Sequence, residues 1–170
     1  MNIALSQSLP TGVSMPDYVR EVLEEKIIFG DLAPGTRLFE EELVQQFNVS
    51  RSPIREALQV MAHEGLVVIE PRRGARVSVL SRSNLDEVYA TRVVLETLAA
   101  SQASERCSDE DAARLQNNLD GLEAAFEAKR PREFFKANVG ITNSIHEISR
   151  NSTLARLLKS IAKQSLRYRY

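Results

Sequence analysis

The run Asn48-Val49-Ser50-Arg51-Ser52-Pro53-Ile54-Arg55-Glu56-Ala57-Leu58 constrains the fold more than any other stretch of the chain. It marks a helix start twice. Ser50 is placed to cap the helix with its hydroxyl, and Pro53 falls in the first turn, where a missing backbone N–H has no partner to lose. Ile54, Ala57, Leu58 and Met61 then recur at helical spacing as one apolar face, while Arg51, Arg55 and Gln59 stand one turn apart on another. One side packs and the other offers hydrogen-bond donors. Those donors lie near the helix N-terminus, the end that meets base edges when a helix enters the major groove, and an Arg there can pair bidentately with guanine O6 and N7.

The flanks complete a DNA-reading unit. Leu38 to Phe47 reads as a short preceding helix with Glu40, Glu41 and Glu42 in its first turn, where acids suit the macrodipole, and Asn48 suits a left-handed turn at its end. Gly65 stops the second helix. Leu66–Ile69 and Ala75–Val79 are β-prone runs around Glu70-Pro71-Arg72-Arg73-Gly74, which makes a hairpin wing with two arginines at its tip. Upstream, Ser14 and Asp17 form a capping-box pattern, Pro16 suits the first turn, and Met15, Val19, Val22, Leu23 and Ile27 mark a buried helical face that Gly30 ends. These signals predict a flexible tail over 1–14 and a winged helix-turn-helix over 15–80.

Bulk charge gives no independent argument, because 22 basic residues stand against 23 acidic ones. Local placement carries it instead: five arginines fall between Arg51 and Arg76 against Glu56, Glu64 and Glu70. Such a mild excess implies salt-sensitive binding that needs a dimer for useful affinity. Cys107 is the single cysteine, which excludes an intrachain disulfide and fits a reducing compartment. With no signal-peptide pattern and no apolar run long enough to span a bilayer, the expected location is the cytoplasm, with no membrane partner.

The remainder predicts an antiparallel all-helical bundle over 84–170, joined through a linker at 81–83. Ser83 with Asp86 resembles a capping box for a helix from Asn84 to Glu105. A second helix follows Ser108-Asp109-Glu110-Asp111, with Leu115, Leu119, Leu122 and Phe126 as its apolar stripe. Pro131 opens a third carrying Phe134, Phe135, Ile141, Ile145 and Ile148, and Asn151-Ser152-Thr153 a fourth with Leu154, Leu157, Leu158, Ile161 and Leu166 inward. Polar groups interrupt these faces. Tyr89, Arg92 and Glu96 share a side with Leu85 and Val88, so Arg92 either anchors a carboxylate-bearing effector or pairs with Glu96 on the surface or between domains. Asn138, Thr142 and His146 form a polar row at one-turn intervals on the third helix and are further candidates to line an effector cavity.

The ordered motifs Gly30-Asp31-Leu32-Ala33-Pro34-Gly35-Thr36-Arg37-Leu38, Glu41-Glu42-Leu43, Val49 to Leu58, Glu64-Gly65-Leu66-Val67 and Arg72-Arg73-Gly74-Ala75 resemble the winged helix of the GntR family of bacterial transcription regulators. The match spans Met15 to Leu80. Arg92-Val93-Val94-Leu95-Glu96 and Arg150-Asn151 resemble marks of the FCD domain of its FadR-type branch, a partial match to an all-helical effector-binding and dimerisation domain. The resemblance implies a palindromic DNA operator, a homodimer, repression as the commoner mode and a small organic acid as effector. Metal-binding FCD domains place a His where this chain has Thr142, a poor substitute toward a transition metal, so a divalent metal is disfavoured and no metal ligand is assigned. Such domains also have more helices than this stretch holds, which predicts either a truncated bundle or one completed by helix exchange between protomers.

The leading reading is therefore a sequence-specific transcription regulator. Arg51, Arg55 and Gln59 face the bases, Ser50 and Ser52 bond phosphates, and Arg72, Arg73 and Gly74 form the wing contact. The alternative is a winged-helix protein-interaction module without sequence-specific DNA binding, against which the arginines at helix start and wing tip argue. An enzyme is disfavoured: Cys107, His63 and His146 are dispersed, and no motif gathers a nucleophile with a base. The basic tail Arg150, Arg156, Lys159, Lys163, Arg167 and Arg169 reads as a solvated helix face or a second DNA patch.

Overall fold

The computed structural model describes residues 12–71, 73–79 and 81–166. Arg72 of the predicted wing tip lies outside them, as do Leu80, Arg167, Arg169 and residues 1–11 of the predicted tail. The chain forms two compact units, one running to Ser81 and including Leu166, the other Arg82–Ser165. The described residues are mostly helical, with one small antiparallel sheet, as the sequence predicts.

The first unit opens with α1 (Met15–Ile28), capped by Ser14, whose hydroxyl accepts from the Asp17 backbone at 3.3 Å and donates to the Asp17 carboxylate at 2.6 Å. Strand β1 (Arg37–Leu38) precedes α2 (Glu40–Phe47), α3 (Arg51–His63), β2 (Val67–Glu70) and β3 (Gly74–Val77). The strands lie in the order β1-β3-β2, with Leu38 opposite Ala75 and Val67 opposite Val77. Leu38 was expected in the helix and instead belongs to the sheet. β3 needs a hydrogen-bonding neighbour on its second edge, and the chain entering α2 supplies it. Val19, Leu23, Leu38, Leu43, Ile54, Met61, Leu66 and Val77 join one continuous core, each at most 1 % exposed. Asn48 takes the expected left-handed conformation at φ 52°. Ser50 occupies the cap position of α3, yet its hydroxyl makes no capping bond. Pro53 removes one of the two backbone donors such a hydroxyl can use, leaving only the Ser52 N–H, which it does not engage.

The second unit contains α4 (Arg82–Arg106), α5 (Asp109–Glu127), α6 (Pro131–Ile148) and α7 (Ser152–Leu166). Helix α4 begins at Arg82, so Ser83 is its second residue and caps nothing as the pattern with Asp86 suggested. Ser108 and Asp111 form a full capping box at α5, and Asn151 caps α7 by accepting from the Leu154 backbone at 3.0 Å. The expected apolar stripes are only half covered: Leu119, Phe126, Phe134 and Leu157 are exposed, whereas Ile148, Leu154 and Leu158 are buried. Among the described residues no fifth helix covers the outer face of α5. Arg150, at φ 52° between α6 and α7, reaches Asp111 at 2.6 Å, and Arg106 donates to the Ser149 carbonyl. Asn151 also bonds Gln102 at 3.1 Å. The Arg150-Asn151 pair thus pins this turn to α4 and α5, and the proposed basic patch is broken by Arg150's ion pair and by burial of Lys163.

Candidate functional site

A groove of about 750 Å³ opens between α3 and the β2–β3 wing. Arg51, Arg55, Arg73 and Gly74 line it, so the structure brings these four predicted residues together. Ser50, Ser52 and Gln59 are exposed on α3 but are not among the groove's lining residues. Arg37 and Phe39 also line it, and sequence reasoning missed both. Arg37 lies in a two-residue strand, too short for any periodicity to reveal, and Phe39 at the cap position between that strand and α2.

The arginines are not bare. Arg55 Nε donates to Glu40 at 2.8 Å, and Arg51 Nη2 to Glu41 at 3.2 Å. Both guanidiniums remain about 60 % exposed, and such pairs contribute little to stability. Arg76, part of the predicted basic excess, has a different task. It is half-buried, donating to Glu70 at 3.0 Å and to the Gly35 carbonyl at 2.8 Å, and it ties the wing to the loop before β1. Its hydrogen bond to Glu70, reinforced by its charge, holds that carboxyl below its ordinary value despite partial desolvation. Gly74 is required by the fold: at φ 83° a side chain is strained, and a Cβ would stand 2.7 Å from the Leu38 carbonyl oxygen.

A second polar cluster sits inside the helical unit. Arg92 is only 7 % exposed, donating to Glu96 at 2.7 Å and to the Ser165 hydroxyl at 3.0 Å, with its guanidinium carbon 5.7 Å from the Tyr89 ring centroid. The other Glu96 oxygen lies 2.6 Å from Nε2 of buried His146. Burial pushes the Glu96 carboxyl up, but the hydrogen bonds and charges of Arg92 and His146 outweigh it and leave the carboxyl below its ordinary value. The Arg92–Glu96 pair is thus partly buried, with the Arg92 side chain 9 % and that of Glu96 29 % exposed. Arg92 Nε is buried with no hydrogen-bond partner among the described residues, leaving one donor of a desolvated cation unsatisfied. Thr142 spends its hydroxyl on the Asn138 carbonyl at 3.1 Å, one turn back in its own helix. Among the described residues no three His, Cys, Asp or Glu side chains gather as a metal would require.

Comparison with known proteins agrees with both halves. The model of bacterial regulatory proteins of the gntR family matches residues 17–77, and the FCD domain model matches 87–170. The chain is 31 % identical over 140 residues to the uncharacterized HTH-type transcriptional regulator YdhC of Bacillus subtilis, covering 82 % of this chain and 62 % of that protein. It is 33 % identical over 118 residues to the HTH-type transcriptional repressor RspR of Escherichia coli, covering 69 % and 52 %. The chain therefore spans between half and two thirds of these relatives' length. Among solved structures it is similar to McbR/YncC of E. coli, with a TM-score of 0.81, 27 % identity, and coverage of 92 % of this chain and 75 % of that one.

Proposed function

Because the chain belongs to the GntR family of bacterial regulatory proteins and carries an FCD domain, we propose that it is a sequence-specific transcription regulator, a repressor that binds a palindromic operator as a homodimer in the cytoplasm. The observation that carries this reading is the convergence of Arg51, Arg55, Arg73 and Gly74 on one groove between recognition helix and wing. Arg51, Arg55 and Gln59 meet base edges, and Arg73, with Arg72 beside it in sequence, follows the adjoining minor groove. Ser50 and Ser52 contact phosphate at the positive end of α3, a role open to Ser50 because its hydroxyl makes no cap. The repressor among the relatives supports the repressive mode.

The helical half, 84–170, is proposed to bind a small organic acid and to mediate pairing, with 15–80 as the DNA-binding half. Arg92, with its unsatisfied Nε, is the anchor for the acid, flanked by Tyr89, Glu96 and His146, while Asn138 and Thr142 extend the polar row on α6. No described helix is long and apolar enough to cross a membrane.

Selection of binding sites from a random duplex pool tests the reading. The intact protein is expected to enrich one palindrome that Arg51→Ala/Arg55→Ala no longer selects. A folded intact protein that enriches no sequence overturns it in favour of a protein-interaction module.

A further inference from the structure

The two groove arginines are held by neighbouring glutamates through different atoms, and the difference has a consequence for base reading. A guanidinium offers two planar forks, one made of Nε and Nη2 and the other of Nη1 and Nη2. Glu40 engages Arg55 at Nε alone, so the fork of terminal nitrogens stays open; among the described residues those nitrogens carry no hydrogen bond. Glu41 engages Arg51 at Nη2 through one of that nitrogen's two N–H bonds and at the longer distance of 3.2 Å, so it occupies one fork only and holds the guanidinium loosely. Exposure separates the pairs in the same sense. The Glu40 side chain is 27 % exposed and that of Glu41 is 79 % exposed. Glu40 is the first residue of α2, directly after the segment that β1 fixes to β3, so its backbone is anchored.

We propose that Glu40 is a specificity-positioning residue that stays paired with Arg55 on DNA and presents the Nη1/Nη2 fork to a guanine edge, whereas Glu41 is a displaceable counter-charge that leaves Arg51 as DNA arrives. The proposal rests on the reading of this groove as the DNA-contacting surface. Glu40 holds the guanidinium against rotation, so orienting it at the base carries a smaller entropic penalty. Glu41 places a negative charge near the phosphates and opposes binding to every sequence alike.

Quantitative binding of the intact chain and its variants to the duplex it selects from a random pool, and to all single-base changes in that duplex, tests this. Glu40→Ala is expected to lower the preference for guanine over the other bases at one symmetric position by roughly tenfold, the scale of losing a well-placed bidentate contact. Glu40→Gln, which keeps an acceptor for Nε, is expected to retain most of that preference. In an Arg55→Ala background Glu40→Ala is expected to change no base preference, since it acts through Arg55. Glu41→Ala is expected to raise affinity for selected and scrambled duplexes equally, by about two- to fivefold. If the intact protein selects a sequence and Glu40→Ala keeps the same base preference while its circular dichroism is native, the positioning role is wrong. Selection of no sequence by the intact protein instead removes the DNA-binding reading beneath it. A Glu41→Ala variant that shifts base preference rather than affinity overturns the division of roles.

Discussion

Arg73 and Arg76 look equivalent in the sequence, yet one lines an open groove and the other is half-buried between Glu70 and the Gly35 carbonyl. The same contrast governs Arg92, whose terminal nitrogens donate to Glu96 and Ser165 inside the helical unit while its Nε finds no partner among the described residues. Removing Arg92 leaves the partly buried Glu96 carboxylate with His146 as its remaining partner, so Arg92→Ala is expected to destabilise that unit by about 2 kcal/mol in urea denaturation. Arg92→Met/Glu96→Leu is expected to lose clearly less than the two single changes added together, as a double-mutant cycle would read. Glu96 also sets a pH dependence. Its folded carboxyl titrates below its ordinary value of about 4.5, so its contribution is complete above that pH and is lost as pH falls through the lower folded value. Asp111 acts in the same direction: hydrogen bonds from the Ser108 backbone and hydroxyl, with Arg150 beside it, hold its carboxyl low. Helicity followed by circular dichroism from pH 7 to pH 3 should fall for the native chain and fall less steeply for Glu96→Gln. An equal slope in both would remove Glu96 from the account.

At the scale of elements, two serines both read as helix caps behave differently. Ser14 caps α1 through Asp17, so Ser14→Ala is expected to cost about 1 kcal/mol. Ser50 makes no cap, and Ser50→Ala is expected to leave thermal stability nearly unchanged while weakening duplex binding. A loss from Ser50→Ala as large as that from Ser14→Ala would contradict the geometry. In the wing, Gly74→Ala meets both a left-handed backbone and the Leu38 carbonyl, and a loss of about 2 kcal/mol is expected in the same melts. The helices were legible because their caps and apolar spacing are local, and α1, α3 and α5 start within a residue of their signals. Strand β1 was not, because two residues carry no period and pair with Arg76 and Ala75, far along the chain.

For the whole molecule, the two units differ in how much apolar surface they enclose. The winged half joins its helices and sheet in one continuous core, whereas the buried cluster recorded between α4 and α7 consists of Ala99, Leu154 and Leu158 with Leu95 against it. Val93, Val94, Leu98, Phe126 and Leu157 of the same unit remain exposed. Hydrophobic burial scales with area, so amide hydrogen exchange is expected to be slower in α1 and α3 than in α5 and the middle of α7. The reverse order would show that the polar contacts of Arg92, Asp111 and Arg150 outweigh apolar burial. Sedimentation should likewise show association that weakens when Val94→Glu and Leu98→Glu place charge on the exposed face of α4, the outcome the proposed homodimer requires.

The sequence alone determined the order of elements, the helix-turn-helix with its wing, the helical second half and the family. The elements follow from short-range spacing, capping and turn chemistry, and the family from the resemblance of their ordered motifs to those of known regulators. The tertiary structure decided what individual charged side chains do. Although Arg92 meets Glu96 one helical turn away, whether an arginine faces a groove, pins a loop or enters a buried cluster turns on contacts distant in sequence, as Arg51 with Glu41, Arg76 with Gly35 and Arg92 with Ser165 illustrate. Long-range electrostatic pairing has no local period, and only the folded chain brings its partners within hydrogen-bond reach.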